Sequence, residues 1–256
     1  MSYHYLASHP DRVSLADDLR ALGLAPGDTV MVHAAFRALG VRDPDAVILA
    51  LLDVLGDAGT LLMPALSWLQ EPPDVHDTRA TPSCVGFLPE YFRTRPGTRR
   101  SLHPTHSVCG VGVRADELLE IHHADTTPCG PHSPFSAILR GGMILFLGCG
   151  LRPNTAMHAV EEHAQPPYLF GPPRLYTITD ENGQTFQRVY TPHGFAGVTQ
   201  RYDRVADLLA PPALQSGYVG AAAAFLVDGP VLLDAALAAL RRNPYFFVEP
   251  DGAEGA

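Results

Sequence analysis

The sequence predicts an α/β protein with a mixed, largely parallel central sheet flanked by helices, plus an added antiparallel hairpin. Three observations predict it. Short, uninterrupted apolar runs at 28–33, 59–64 and 143–147 have the length and branching of buried strands. Stretches with helical apolar spacing alternate with them, as at 15–22 and 45–55. The turn Asp180-Glu-Asn-Gly183 separates two strand-like runs, 175–179 and 185–190, and Asn-Gly is a strong hairpin signal.

In chain order, the helix at 15–22 is closed by Gly23 and Pro26-Gly27. The strand at 28–33 runs into Ala34-Ala35-Phe36-Arg37-Ala38-Leu39-Gly40, a turn leading toward a loop. The helix at 45–55 ends at Gly56, and the strand at 59–64 leads into the polar-aromatic pair Ser67-Trp68. Residues 70–82 are Pro-rich and irregular, long enough for a functional loop that closes over a site. Helices are expected at 85–93, 116–122 and 135–139, with a rigid loop at 126–134. After the hairpin comes a helix over 201–209, then a turn at 217–220. The Ala-rich run 221–227 reads as helix core, 231–240 as a further apolar helix, and 246–250 as a terminal strand or extended tail. A single domain over 1–256 is expected, with an N-terminal extension at 1–14 and a frayed tail at 251–256.

Composition narrows the function. Apolar residues make up 46% of the 256 and the net charge is −9, which argues against a nucleic-acid surface. Arg99-Arg100 and Arg241-Arg242 are isolated pairs that read as surface solubility. The amino terminus lacks the basic and apolar regions of a signal peptide, and no apolar run approaches the roughly 20 residues of a membrane helix. Cys84, Cys109, Cys129 and Cys149 show no C-x-x-C spacing, so reduced thiols and a cytoplasmic location are expected.

Two stretches carry chemistry. After the run at 143–147 comes Gly148-Cys-Gly-Leu-Arg-Pro-Asn-Thr-Ala-Met-His158, then Glu161 and Glu162. Asn154 or Thr155 is placed to cap a helix through its side chain. On that helix His158 shares a face with residues three and four further on, so a carboxylate can orient its imidazole. A polar pair at a helix start just past a buried strand is where open α/β sheets place their sites. The second stretch is His103-Pro-Thr105-His106-Ser107-Val108-Cys109-Gly110-Val111-Gly112, whose small residues would let a ligand approach the backbone. His103 and His106 have no third ligand at close spacing, so no metal is expected.

These blocks, with Asp28-Thr-Val-Met-Val-His33 through Gly40, Gly59-Thr-Leu-Leu-Met-Pro64 and Ser133-Pro134, resemble the aminoglycoside 3-N-acetyltransferases in order and spacing. The resemblance spans roughly residues 15–247. It implies the α/β fold of the antibiotic N-acetyltransferases and an acetyl-CoA-dependent transfer of an acetyl group to a small-molecule amine; direct transfer within a ternary complex is the expected route. His158 stands at the family's catalytic histidine. It would act as base, because an ammonium must lose a proton before it attacks a thioester. Glu161 would orient His158 or hold the substrate ammonium. Acetyl-CoA would be held by His33, Ala34, Ala35, Phe36 and Arg37 and by Thr105, His106, Ser107, Val108 and Cys109. The backbone at 107–109 would face the thioester carbonyl. Ala34 and Ala35 replace two serines that family members often carry, leaving backbone N–H groups, with Arg37 available to pair a phosphate. Trp68, Glu162 and His193 are the substrate-side candidates. The partner is a small-molecule amine, with no nucleic acid and no membrane, and the protein a monomer or homodimer.

The segment after the hairpin, Tyr190-Thr-Pro-His193-Gly-Phe195-Ala-Gly197, carries no acid, whereas aminoglycoside-modifying members crowd carboxylates there. Glu161, Glu162 and Asp203 remain, which points to a less cationic amine, such as a biosynthetic intermediate, with an aminoglycoside antibiotic as the other acceptor. The alternatives are a relative that binds CoA or a ligand without catalysis, transfer through the Cys109 thiol, and a hydrolase using Ser107 with His106. The last lacks a G-x-S-x-G elbow.

Overall fold

A computed structural model describes residues 10–252, so most of the expected extension and the last residues of the expected tail lie outside the described residues. In chain order the elements are α1 (Arg12–Leu22), β1 (Thr29–Ala34), α2 (Pro44–Leu55), β2 (Thr60–Pro64), β3 (Val75–Asp77), α3 (Phe87–Thr94), β4 (Arg99–Arg100) and β5 (Val108–Gly112). There follow α4 (Ala115–Glu120), α5 (Pro134–Gly141), β6 (Met143–Leu147), α6 (Ala156–Ala164), β7 (Arg174–Thr179), β8 (Thr185–Tyr190) and β9 (Val198–Gln200). The chain closes with β10 (Leu214–Val219), β11 (Ala222–Asp228), α7 (Gly229–Arg242) and β12 (Val248–Pro250).

A seven-stranded mixed sheet runs in the order β10-β11-β6-β1-β2-β5-β4. Its parallel pairings are central, β1 with β2 and β1 with β6, and antiparallel strands flank them. Successive side chains of a strand point to opposite faces. In β1, Val30 and Val32 pack with α1, α2 and α3, while Met31 packs with α4, α5, α6 and α7. The same parity holds in β6, where Leu145 and Leu147 face one layer and Ile144 and Phe146 the other. Strands buried on both faces are what the unbroken apolar runs require.

Three expectations are corrected here. The run at 221–227 is a strand, not a helix: β11 pairs β6 from Ala224↔Leu147 to Asp228↔Met143 and pairs β10 along its length. Alanine's helix preference is a fraction of a kcal/mol per residue, less than a full ladder of strand hydrogen bonds between two neighbours provides. Gly220 takes the left-handed φ of +58° at this hairpin turn, where a Cβ would stand 2.6 Å from the Leu39 carbonyl oxygen. The hairpin at 174–190 lies not in the large sheet but in a second sheet with β3, which the irregular 70–82 segment contributes. The stretch at 201–209 forms a 3₁₀ turn, Tyr202–Asp207, rather than an α-helix. Among the described residues no helix is long and apolar enough to cross a membrane.

Arg100 is not a surface cation. Its guanidinium donates to the carbonyls of Thr78 (3.2 Å), Thr81 (2.6 Å) and Ala65 (2.9 Å) and to Ser107 Oγ (2.8 Å). Burial lowers its pKa to about 10. This fork ties the 70–82 segment to the ends of β2 and β5, a geometry only a planar five-donor group provides. Arg100→Met keeps the volume and strands the Thr78 and Thr81 carbonyls, while Ala65 keeps its bond from Ser107 Oγ, so equilibrium urea unfolding should show a loss of about 2–4 kcal/mol. A change below about 0.5 kcal/mol would show that the fork is incidental.

Candidate active site

The C-terminal ends of β1, β2 and β6, the edge at which open α/β sheets place ligands, border a cavity of about 1370 Å³. Its wall includes His33, Ala34, Trp68, Gln70, Glu71, Asp74, Thr105, His106, Asn154, His158, His193 and Phe195. Pockets that take one drug-sized ligand run to roughly 300–1000 Å³, so this cavity is larger than a single small ligand requires.

His158 sits in the first turn of α6 with its side chain 15% exposed, and Glu161, one turn on, is wholly buried. The direct Nδ1 to Glu161 Oε2 distance is 3.4 Å, long for a hydrogen bond. Tyr202 closes the gap: its hydroxyl lies 2.8 Å from His158 Nδ1 and donates to Glu161 Oε2 at 2.7 Å. Tyr168 donates to the other carboxylate oxygen at 2.9 Å. Burial, and then the charge of Glu161, hold the Tyr202 hydroxyl well above the usual tyrosine range, so it keeps its proton. That proton goes to Glu161, so the phenol oxygen accepts from Nδ1–H, and the bare lone pair of His158 is on Nε2.

Glu162, an expected substrate contact, is not on the cavity wall. It accepts from the Cys129 N–H (2.6 Å) and the Thr127 hydroxyl and lies 2.8 Å from His193 Nε2. It holds His193 from behind. His193 does line the cavity, and its Nδ1 is buried without a partner. Asp203, also expected to help hold a cation, pairs with Arg201 at 2.9 Å outside the lining.

The expected acetyl-CoA residues divide. His33 and Ala34 lie on the wall with Thr105 and His106. The His33 ring stacks on Phe146 at 5.2 Å, and its Nε2 is unpartnered. Ala35 spends its N–H on the Leu147 carbonyl (2.8 Å), Phe36 packs on Phe87, and Arg37 is exposed on a 3₁₀ turn outside the lining. Ser107, Val108 and Cys109 are fully buried, which corrects their assignment to a ligand loop. The Val108 N–H is taken by Ser101 Oγ (2.8 Å), and Cys109 is inside β5. The small residues there serve packing: a Cβ on Gly110 would stand 2.6 Å from Leu62 Cδ2. Ser107 Oγ donates to the Ala65 carbonyl (2.9 Å) and makes no hydrolase pair, since His106 Nδ1 is 2.9 Å from Thr105 Oγ1. Burial pushes the Cys109 thiol up to about 12, far from a nucleophilic thiolate, and the cavity-lining Cys149 up to about 11.

Several site residues carry no advance signal in the sequence. Tyr168 and Tyr202 are ordinary aromatics until the fold brings them to Glu161. Neither Asn154 nor Thr155 makes the side-chain cap expected for α6, and both polar side-chain atoms of Asn154 are buried without a partner. His103 is a turn-former whose Nδ1 accepts from the N–H groups of Thr105 (3.2 Å) and His106 (2.9 Å). His106 meets His158 and His193, far away in sequence, with ring centroids 6.0 and 5.5 Å away.

The fold thus sets an imidazole with a fixed orientation on the wall of a cavity at the C-terminal edge of the sheet. Comparison with known proteins gives the family. The family model for aminoglycoside 3-N-acetyltransferases matches residues 31–241. Aminoglycoside N(3)-acetyltransferase IV of Salmonella sp is 32% identical over 247 residues, covering 93% of this chain and 90% of the relative. The structure of AAC-IIIb in a binary complex with CoASH superposes with a TM-score of 0.80 at 31% identity, covering 92% of this chain and 97% of that one. A histidine-to-alanine variant of aminoglycoside acetyltransferase AAC(3)-IVa in complex with a gentamicin gives 0.80 at 28% identity, over 96% and 94%. The chain belongs to the aminoglycoside 3-N-acetyltransferase family, and it is an acyltransferase.

Six histidines, His33, His76, His103, His106, His122 and His193, are held neutral chiefly by burial, with His33, His76 and His122 lowered to about 3 and His193 to about 2. The unfolded chain takes up these protons near pH 6.5 and the native state does not. Their cost is therefore absent above about 6.5 and grows as pH falls toward the folded values, by up to about 1.4 kcal/mol per unit per residue. The urea midpoint should drop steeply from about pH 7 to about pH 5. A flat midpoint over that window would mean the six rings ionise in place.

Proposed function

We propose that the protein transfers the acetyl group of acetyl-CoA directly to an amine of an aminoglycoside or a related small molecule, with His158 as general base. The observation that carries this is that His158 lines the cavity with its Nδ1 held against Tyr202 and, through it, Glu161, which leaves Nε2 as the nitrogen free to accept a proton. Nε2 takes a proton from the attacking amine, and the imidazolium formed is stabilised by the buried carboxylate. The nitrogen attacks the thioester carbonyl, negative charge collects on its oxygen, and CoA leaves as the thiolate. With the Val108 N–H taken by Ser101 Oγ and Cys109 inside β5, the unpaired amide of Asn154 is the donor assigned to that oxygen. Support for the two substrates comes from relatives with CoASH and with a gentamicin bound. Reduced cysteines and the use of acetyl-CoA fit a cytoplasmic location.

The acids missing after the hairpin are replaced from another segment. Glu71 and Asp74 lie on the cavity wall, Asp74 paired with Arg174 at 2.7 Å and Glu71 exposed to the cavity. Glu71 therefore favours a cationic acceptor over the less cationic amine that the bare hairpin segment suggests. Trp68, half exposed on the same wall, offers an apolar face to a sugar ring or to the cofactor.

His158→Ala should abolish acceptor-dependent CoA thiol release while calorimetry still shows acetyl-CoA binding; retained turnover would remove His158 as the base. Asn154→Asp keeps the shape and removes the donor, so kcat should fall by about 10²–10³ with KM little changed. An effect confined to KM would reassign Asn154 to binding. For Glu71→Gln, KM for an aminoglycoside should rise about tenfold with kcat nearly unchanged, as expected for the loss of a charge-assisted hydrogen bond of roughly 1.5 kcal/mol. An unchanged KM would leave the acceptor's charge without a partner there.

A further inference from the structure

We propose that His106, His158 and His193 form a binding site for a divalent transition cation of the zinc class, and that its occupancy switches acyl transfer off. The second half rests on the reading of His158 as the base. One ring nitrogen from each of the three lies within 4.8 Å of the other two. On two of the rings one nitrogen is committed, on His158 to a carboxylate-backed hydroxyl and on His193 to a carboxylate, which leaves the other nitrogen of each with a free lone pair. His158 gives Nδ1 to Tyr202 and the Glu161 carboxylate and keeps Nε2. His193 gives Nε2 to Glu162 at 2.8 Å and keeps Nδ1, which is buried with no hydrogen-bond partner on a side chain only 4% exposed. His106 has Nδ1 against Thr105 Oγ1 at 2.9 Å, leaving Nε2.

This pattern matches what a three-histidine zinc site needs. Each ring is oriented by an outer partner, the Glu162 carboxylate on His193, the Glu161-backed Tyr202 hydroxyl on His158 and the Thr105 hydroxyl on His106, and the cavity supplies an open fourth position. Zinc–nitrogen bonds of about 2.0–2.1 Å put tetrahedral ligand atoms roughly 3.3 Å apart, so the rings would draw together by side-chain rotation. Imidazole donors select zinc, copper, nickel or cobalt over magnesium and calcium. A cation on Nε2 of His158 occupies the lone pair that receives the substrate proton, so metal and base function exclude each other.

Cobalt(II) is the probe, because its visible absorption reports a tetrahedral nitrogen site without any assay of activity. The full chain should take up one cobalt with intense visible bands, which zinc displaces and EDTA abolishes. His193→Ala and His106→Gln should each weaken binding at least tenfold with the circular dichroism unchanged. His106→Gln changes the ring for a group of similar length, so it remains informative if the His193 variant misfolds. In wild-type protein, zinc should inhibit CoA release with the midpoint of its cobalt displacement. Absence of the bands at one equivalent, or binding undiminished in both variants, would overturn the site. Zinc bound at the site with CoA release unchanged or faster would overturn the switch. Loss of all acyl transfer in metal-free protein would count against the proposed function and leave the cobalt result standing.

Discussion

A carboxylate with no solvent exposure organises the candidate site. Burying Glu161 is costly unless every lone pair it presents finds a donor. The fold supplies two tyrosine hydroxyls, Tyr168 at 2.9 Å and Tyr202 at 2.7 Å, and the second relays the constraint to His158. The three contributing segments come from different parts of the chain: helix α6, the stretch after it, and the 3₁₀ turn at Tyr202–Asp207. Their convergence fixes both where the imidazole lies and which of its nitrogens is bare. A mechanism needing a base with one defined tautomer therefore depends on packing well outside the cavity wall.

The same logic explains the arrangement behind the other histidines. Glu162 is spent on His193, Thr127 and the Cys129 backbone, so it orients a ring rather than meeting a substrate. Neighbouring glutamates at 161 and 162 thus support two different imidazoles, because residues three and four past His158 diverge around the helix just enough to reach opposite sides of the same cluster. Sheet geometry does the rest. The parallel centre β6-β1-β2 ends at one edge, and antiparallel β5 begins there, bringing Thr105 and His106 beside His33 and the start of α6.

Much of this was legible in the chain. Apolar runs with turn residues at their ends marked β1, β2 and β6, since strands buried on both faces have no alternation to confuse them. The spacing of His158 and Glu161 announced a supported imidazole. The motif order gave the family. What was hidden required distance in sequence. Ser107 to Cys109 looked like a ligand loop because small residues serve strand crossing and ligand approach equally well, and only Arg100 and Ser101, occupying the Ser107 hydroxyl and the Val108 N–H, decide between them. The run at 221–227 looked helical because alanine's own preference says nothing about a waiting strand edge. Tyr202 and Tyr168 gave no signal, since a tyrosine's hydroxyl acquires meaning only from the group it is buried against. The third imidazole that spacing denied to His103 and His106 arrived through space, and it joined His106 rather than His103.

The central claim is that Tyr202 and Glu161 hold His158 as the tautomer with its proton on Nδ1 and its lone pair on Nε2. Nitrogen NMR of the imidazole, with ¹⁵N-labelled histidine and a His158→Gln spectrum for assignment, reads this directly. For the neutral ring the account predicts a protonated Nδ1 and a bare Nε2, with that preference weakened in Tyr202→Phe. A proton found on Nε2 instead would leave the cavity facing a donor rather than a base and would contradict the account.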